Sequence, residues 1–147
     1  MNLRELFSQI QPENHLPLQE AASVTCDSRQ VKKGSVFVCI RGQMGDGHNH
    51  VAQALQRGAA LIVAQKDCKI PNQLLFPDTR QVYSQLCAAF FCYPAQKLKL
   101  LAVTGTNGKT TSAWLVHHAL GKMGIKAGLI GTVCNKVGTN FTIPARY

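Results

Sequence analysis

The chain has 147 residues, 46% hydrophobic and 16% charged, with a formal net charge of +9. That composition excludes an intrinsically disordered chain, and no apolar run approaches the length of a membrane span, so no membrane insertion is expected. The excess of positive charge suits polyanionic ligands such as nucleotides or sugar nucleotides, but no Lys/Arg block carries interleaved aromatics, which argues against a nucleic-acid surface.

Six cysteines stand at 26, 39, 68, 87, 92 and 134. None form C-x-x-C and no Cys/His cluster has zinc spacing, so reduced, buried thiols of a cytoplasmic protein are expected. At the N-terminus Asn2 is placed to cap a short helix with Glu5 as its capping-box partner, and Leu3, Leu6, Phe7 and Ile10 share one helical face. Pro12 and Pro17 mark a loop. Val24-Thr25-Cys26 reads as a strand running into Asp27-Ser28-Arg29, and 35–40 reads as a second, β-rich strand. The stretch 41–48 holds three glycines in eight residues, the mark of a loop with wide backbone freedom. A helix is expected from Asn49 or His50, closed by Gly58, followed by a buried strand over 59–64 and a shorter one at Leu74-Leu75-Phe76. Asp78 caps the next helix with Gln81 in the capping-box position. Val82, Tyr83, Leu86, Ala89, Phe90 and Tyr93 trace its apolar stripe, and Pro94 stops it. The short polar stretch after it marks a domain boundary, giving units 1–94 and 95–147.

The second unit opens with an apolar run over 98–103, read as a strand, and continues Val103-Thr104-Gly105-Thr106-Asn107-Gly108-Lys109-Thr110-Thr111. A glycine loop between strand and helix is the setting of a phosphate-binding loop. Amides of residues 105–109 can converge on one anion, and the helix end adds free donors and partial positive charge. Lys109 can reach the β- and γ-phosphates, and the Thr110 hydroxyl can hold Mg²⁺. The general pattern G-x-x-x-x-G-K-[ST] asks for glycine at 103, where this chain has Val103. In the helix from Thr110, Ala113, Val116, Leu120 and Met123 mark an expected buried face, with Trp114 in the core or against another domain. Gly124 ends it, a strand returns over 125–130 to complete one βαβ unit, and 131–143 reads as a turn region or hairpin with Gly138-Thr139-Asn140 at its tip. One βαβ unit cannot close a nucleotide-binding domain, so the chain reads as the front of a longer protein.

The spelling T-G-T-N-G-K-T-T resembles the ATP loop of the Mur ligases, the ATP-dependent amide-forming enzymes of peptidoglycan synthesis, in which the first glycine is displaced in the same way. The stretch 27–38, D-S-R-Q-V-K-K-G-S-V-F-V, is similar to a signature of the MurE and MurF types. So is Gly42 through Gly45-Asp46-Gly47-His48 with the later Gly58-Ala59. The loop spelling, Gly128-Leu129-Ile130-Gly131-Thr132 with Asn135-Lys136, and the ending Ile143-Pro144-Ala145-Arg146-Tyr147 favour MurE. The resemblance covers nearly the whole chain. It implies a small α/β N-terminal domain that binds the UDP part of UDP-MurNAc-L-Ala-D-Glu, followed by the first βαβ unit of a P-loop ATPase domain. It further implies a monomeric enzyme that adds a third amino acid, diaminopimelate or lysine, through an acyl phosphate.

On this resemblance ATP and Mg²⁺ are the cofactors. Gly105, Thr106, Asn107, Gly108, Lys109, Thr110 and Thr111 bind the nucleotide, Lys109 and Thr110 are the catalytic candidates, and Thr110 is the metal ligand. Ser28 is the leading UDP contact, with Asp27, Asp46, Gly47 and His48 beside it. Two readings stand for Asp27, a ligand contact or a partner of Arg29, and two for Asp46, a ligand contact or a helix cap. His117 and His118 read as packing or surface residues. Later family elements, including a T-T-P segment, a modified lysine and the amino-acid pocket, have no counterpart in these 147 residues, so the chain is expected to be inactive alone. A non-catalytic binding module and a MurF-type ligase are the rival readings.

Overall fold

The computed structural model describes residues 1–10, 16, 19–42 and 45–142. The loop read at Pro12 and Pro17, Gln43-Met44 within the glycine-rich loop, and the ending at 143–147 lie outside the described residues. The chain forms two compact units, Met1–Leu98 and Lys99–Tyr147. The expected boundary after residue 94 falls four residues before this division.

The first unit is built on a parallel four-stranded sheet in the order β1 (Val24–Thr25), β2 (Val36–Val38), β3 (Leu61–Ala64) and β4 (Gln73–Leu75). Parallel strands buried on both faces read as continuous apolar runs, which is what 35–40 and 59–64 are. Side chains alternate across the sheet. Val36, Val38, Leu61 and Val63 face one core with Leu3, Leu6 and Phe7, while Phe37, Cys39, Ile62 and Ala64 face the other. Helices α1 (Leu3–Phe7) and α3 (Thr79–Phe90) cover the first face, and α2 (Val51–Gln56) covers the second. Phe37 and Phe7 are fully buried, each contributing roughly 1.5–3 kcal/mol by removal of apolar surface from water.

Local chemistry sets the helix ends. Asn2 Oδ1 accepts from the Glu5 amide at 2.8 Å while Glu5 Oε2 accepts from the Asn2 amide at 3.1 Å, the reciprocal box. Asp78 Oδ1 accepts from the Arg80 and Gln81 amides at 2.9 and 3.0 Å. Val82, Leu86 and Ala89 of α3 are buried, with Tyr83, Phe90 and Tyr93 packed half-buried against the same core. Cys92 and Tyr93 take left-handed backbone angles ahead of Pro94, and the Tyr93 hydroxyl donates to Gln9 Oε1 at 2.6 Å, tying the end of α3 to the turn after α1. Gly58, at φ 89°, closes α2 as expected.

The second unit holds α4 (Lys109–Lys122) and an antiparallel meander of β5 (Gly128–Ile130), β6 (Asn135–Val137) and β7 (Asn140–Thr142). Here the structure differs from expectation in two places. The run 98–103 has no ladder partner among the described residues, and Leu98, Leu100, Leu101 and Val103 are exposed. A strand is defined by the neighbour that takes its hydrogen bonds, and α4 leads into β5, whose described neighbour is the antiparallel β6. On α4, Ala113 and Leu120 are half-buried but Val116 and Met123 are exposed. The meander covers a narrow stripe of the helix. Trp114 is half-buried, with its ring stacked 6.4 Å from Phe141 and Lys136 Nζ lying 5.6 Å above it.

Candidate functional site

In an open parallel sheet, ligands bind at the carboxyl ends of the strands. The chain leaving β1 carries Asp27-Ser28-Arg29, that leaving β2 carries Arg41 to His48, and that leaving β3 carries Gln65 and Lys66. Ser28 begins a 3₁₀ turn over Ser28–Gln30, capped by Asp27, whose Oδ1 accepts from the Arg29 amide at 2.9 Å. Asp27 also takes a bidentate pair from the Arg29 guanidinium, with Nη2 2.8 Å from Oδ2, and this pairing holds its carboxyl below the usual range. Of the two readings for Asp27, the Arg29 pair is therefore formed. Ser28 is 7% exposed and donates to Gln53 Oε1 on α2 at 2.6 Å.

The loop after β2 folds back on itself. Arg41 and Asp46 form an isolated antiparallel bridge, the Gly42 amide donates to the Gly45 carbonyl at 2.8 Å, and the Gly47 amide donates to the Ile40 carbonyl at 3.0 Å. Arg80 Nη2 donates to the Arg41 carbonyl at 2.9 Å, and Thr79 Oγ1 to the Cys39 carbonyl at 2.7 Å, which anchors the loop's base to α3. Asp46 caps a 3₁₀ turn over Gly47–His50, accepting from the His48 amide at 2.9 Å. That amide bond is the largest cause holding the Asp46 carboxyl far below its ordinary range; the His48 ring bond adds to it. The capping reading of Asp46 is thus formed. Gly47 has no room for a side chain: a Cβ there would lie 2.7 Å from Ile40 N. Beside this loop, α2 and the turn after β3 flank an open groove of about 330 Å³, lined by His48, Val51, Leu55, Lys66 and Cys68 among others.

Two functional candidates at this edge, Arg41 and Lys66, were not legible as site residues. Lys66 Nζ is 3.3 Å from Asp46 Oδ2, and Arg41 Nε is 3.9 Å from the same oxygen. The available signal was their position just past the ends of two adjacent parallel strands. Gln53 and Gln65 were also missed, since each meets its partner from a distant part of the chain.

In the second unit, residues 105–108 form the turn before α4. Gly105 has φ 144° and Gly108 φ 76°, left-handed angles that a side chain resists. Gly108 is the N-cap of α4 and gives no side-chain cap, and the Ser112 amide takes the Gly108 carbonyl at 2.9 Å. The amides of Lys109, Thr110 and Thr111 precede the first helical donor, the Ser112 amide, so they point out of the helix end with no intrahelical acceptor. Lys109 Nζ donates to the Gly105 carbonyl at 2.6 Å and the Thr106 carbonyl at 3.3 Å, which places the ammonium over the loop. Orphan amides, a helix N-terminus and an ammonium on one exposed loop form a donor set that fits phosphate oxygens. Thr110, in the first turn of α4, adds a hydroxyl of the kind that ligates Mg²⁺ beside phosphates. Among the described residues no group of three His, Cys, Asp or Glu side chains is arranged to hold a metal.

Comparison with known proteins gives this geometry its family. Residues 20–107 match the model of the Mur ligase family, catalytic domain, and residues 103–146 that of the Mur ligase middle domain. The chain belongs to the Mur ligase family. Among relatives of this Mur ligase chain, the UDP-N-acetylmuramoyl-L-alanyl-D-glutamate–2,6-diaminopimelate ligase of Bacillus licheniformis is 41% identical over 120 residues, 80% of this chain and 24% of that protein. A solved structure of a UDP-N-acetylmuramoyl-L-alanyl-D-glutamate–2,6-diaminopimelate ligase matches with a TM-score of 0.75 at 26% identity, over 97% of this chain and 30% of that one. The MurF ligase of Thermotoga maritima, solved in complex with ADP, matches with a TM-score of 0.54 at 26% identity, over 68% of this chain and 23% of that one. The chain spans about a quarter of the length of the curated relatives it matches. No helix among the described residues is long and apolar enough to cross a membrane.

Proposed function

We propose that this chain carries the precursor-binding domain and the ATP loop of a MurE-type ligase. That enzyme adds diaminopimelate to UDP-MurNAc-L-Ala-D-Glu in the cytoplasm, acting as a monomer. The observation that carries the reading is one chain holding both parts. One is a polar edge of Ser28, Arg41, His48 and Lys66 at the carboxyl ends of a parallel sheet. The other is an uncapped helix end with Lys109 above it. The choice of diaminopimelate rests on relatives about 40% identical that carry that substrate in their names.

In this reading ATP supplies the phosphoryl group that activates the D-Glu carboxylate, and the chain's own residues bind and orient. The amides of Lys109, Thr110 and Thr111, with the Lys109 ammonium, neutralise phosphate charge in fixed positions. Gly105, Thr106, Asn107 and Gly108 shape the loop so that its backbone approaches the phosphates. The Thr110 hydroxyl would supply one ligand to Mg²⁺ bound beside the phosphates. Ser28 and the loop over Asp46, Gly47 and His48 frame the UDP part, with Asp27 fixing the turn that presents Ser28.

Calorimetric titration of the chain with UDP-MurNAc-L-Ala-D-Glu and, separately, with ATP tests the reading. Saturable binding of each is expected, and absence of binding by either would overturn it. In the complete enzyme, use of UDP-MurNAc-tripeptide and D-Ala-D-Ala in place of these substrates would overturn the MurE assignment in favour of MurF.

A further inference from the structure

His48 looks like a ligand contact by its position, yet its ring has no polar atom left to offer. Its side chain is 5% exposed. Nε2 lies 3.0 Å from the Gln65 amide nitrogen, and a backbone N–H only donates, so Nε2 is the acceptor. The ring proton therefore sits on Nδ1, which donates to Asp46 Oδ1 at 2.5 Å. Asp46 is fixed a second time by the His48 amide on the same oxygen, at 2.9 Å. Its other oxygen, Oδ2, faces solvent through two cations, with Lys66 Nζ at 3.3 Å and Arg41 Nε at 3.9 Å. Both cations are well exposed, at 59% and 76% of their side-chain surface. One relay thus runs from the amide at the end of β3, through the imidazole, to a carboxylate, and from there to a pair of cations at the ends of two adjacent strands.

We infer that His48 is a positioning residue that orients Asp46 so that its carboxylate holds Arg41 and Lys66 together for the diphosphate of the nucleotide-sugar precursor. The inference rests on the precursor-binding reading above and adds to it which groups meet the diphosphate. A carboxylate aimed at a diphosphate would repel it. A carboxylate behind two cations instead keeps two long, exposed side chains from spreading in solvent and presents their free N–H groups to the anion. An arginine and a lysine left to themselves lose rotamer freedom on binding; cations already held lose less. The imidazole acts as an orienter in the way that a hydrogen-bonded partner fixes the tautomer of a histidine elsewhere.

The test is a double-mutant cycle read by calorimetric titration of the full 147-residue chain with UDP-MurNAc-L-Ala-D-Glu. Lys66→Met is expected to weaken binding about tenfold, the size of one charge-assisted hydrogen bond. His48→Ala is expected to weaken it by a similar factor, and the double variant no more than either alone, because Asp46 Oδ1 then keeps only the His48 amide and the carboxylate is free to turn away from Lys66. His48→Asn restores a donor where Nδ1 stood and is expected to recover most of the affinity. Losses that multiply in the double variant would overturn the inference. ¹⁵N spectra of the wild-type imidazole supply a second readout that does not depend on the variants folding. A proton on Nδ1 with and without precursor is expected, and a switch of tautomer on binding would overturn the positioning role in favour of direct contact. If the wild-type chain does not bind the precursor, the functional reading falls and this inference with it. If the wild-type chain binds and the losses multiply, only this inference falls.

Discussion

Two glycines flank Asp46, and the structure assigns them opposite tolerances. A Cβ on Gly47 would lie 2.7 Å from Ile40 N, 3.0 Å from Ile40 O and 3.1 Å from Cys39 Cα. All three are backbone atoms at the exit of β2, a strand with neighbours on both sides, and the Cys39 amide is itself bonded to Val63 O at 2.8 Å. The strand cannot yield, so in Gly47→Ala the loop has to lift. Lifting breaks the bond from the Gly47 amide to Ile40 O and loosens the Asp46 cap. Overpacking costs about 1–3 kcal/mol and a lost hydrogen bond about 1 kcal/mol, so a loss on the order of 2–4 kcal/mol is expected. For a unit of this size that lowers the melting temperature by roughly 10–25 °C. At Gly45 a Cβ meets nothing within 4 Å and the backbone is not left-handed. Gly45→Ala is therefore expected to stay within about 0.5 kcal/mol of the parent. Urea and thermal denaturation followed by far-ultraviolet circular dichroism separate the two variants. A Gly47→Ala chain that melts with the parent, or a Gly45→Ala chain that falls as far, would refute the close-packing argument.

The acid limb of stability tests the Asp46 relay. Its carboxyl is held below the ordinary range, first by the His48 amide and then by the His48 ring. Its stabilisation is therefore full above the unfolded carboxylate value, about 4, and is lost as pH falls below it. Asp46→Asn is expected to be less stable than the parent near neutral pH, with the two urea midpoints converging in acid; a constant gap across pH would contradict this. Thiol reactivity follows burial: Cys92 is exposed, whereas burial pushes the Cys39 thiol up to about 12. Mass-mapped alkylation at mild alkaline pH should label Cys92 first and Cys39 last, and equal rates would count against the packed sheet face. In the second unit Lys109 Nζ bonds, among the described residues, only to exposed loop carbonyls. Lys109→Met is expected to leave the melting curve within about 0.5 kcal/mol while reducing ATP affinity about tenfold or more. A large stability loss with unchanged ATP binding would reverse the assignment.

Much of the first unit was legible because its signals are local. Asn2 and Asp78 cap helices through side chains within three residues of their partners, and Val36 to Cys39 or Leu61 to Ala64 reveal two-faced burial by their unbroken apolar character. The second unit shows the limit of the same reasoning. Hydrophobic runs at 98–103 and along α4 report that a surface wants to be buried, not which neighbour buries it. Val116 and Met123 stay exposed because the described meander reaches only the stripe through Trp114 and Leu120. Motif spelling singled out Ser28, Asp46 and Lys109 as candidates. It could not find that Ser28 meets Gln53, that His48 meets Gln65, or that Arg41 and Lys66 share one carboxylate oxygen. Those pairings span up to 25 residues of sequence and exist only once the fold brings the strand ends beside one another and beside α2.

The central claim is that the carboxyl edge of the parallel sheet receives the nucleotide-sugar precursor and the loop before α4 receives ATP. Amide ¹H–¹⁵N spectra of the chain, titrated with UDP-MurNAc-L-Ala-D-Glu and with ATP in separate experiments, test it most directly. The account predicts that the precursor moves the amides of Ser28, Arg41, Gly42 and Lys66, and that ATP moves those of Gly105 to Thr111. Saturating precursor that leaves the sheet-edge amides in place, or ATP that leaves the loop amides in place, would contradict it.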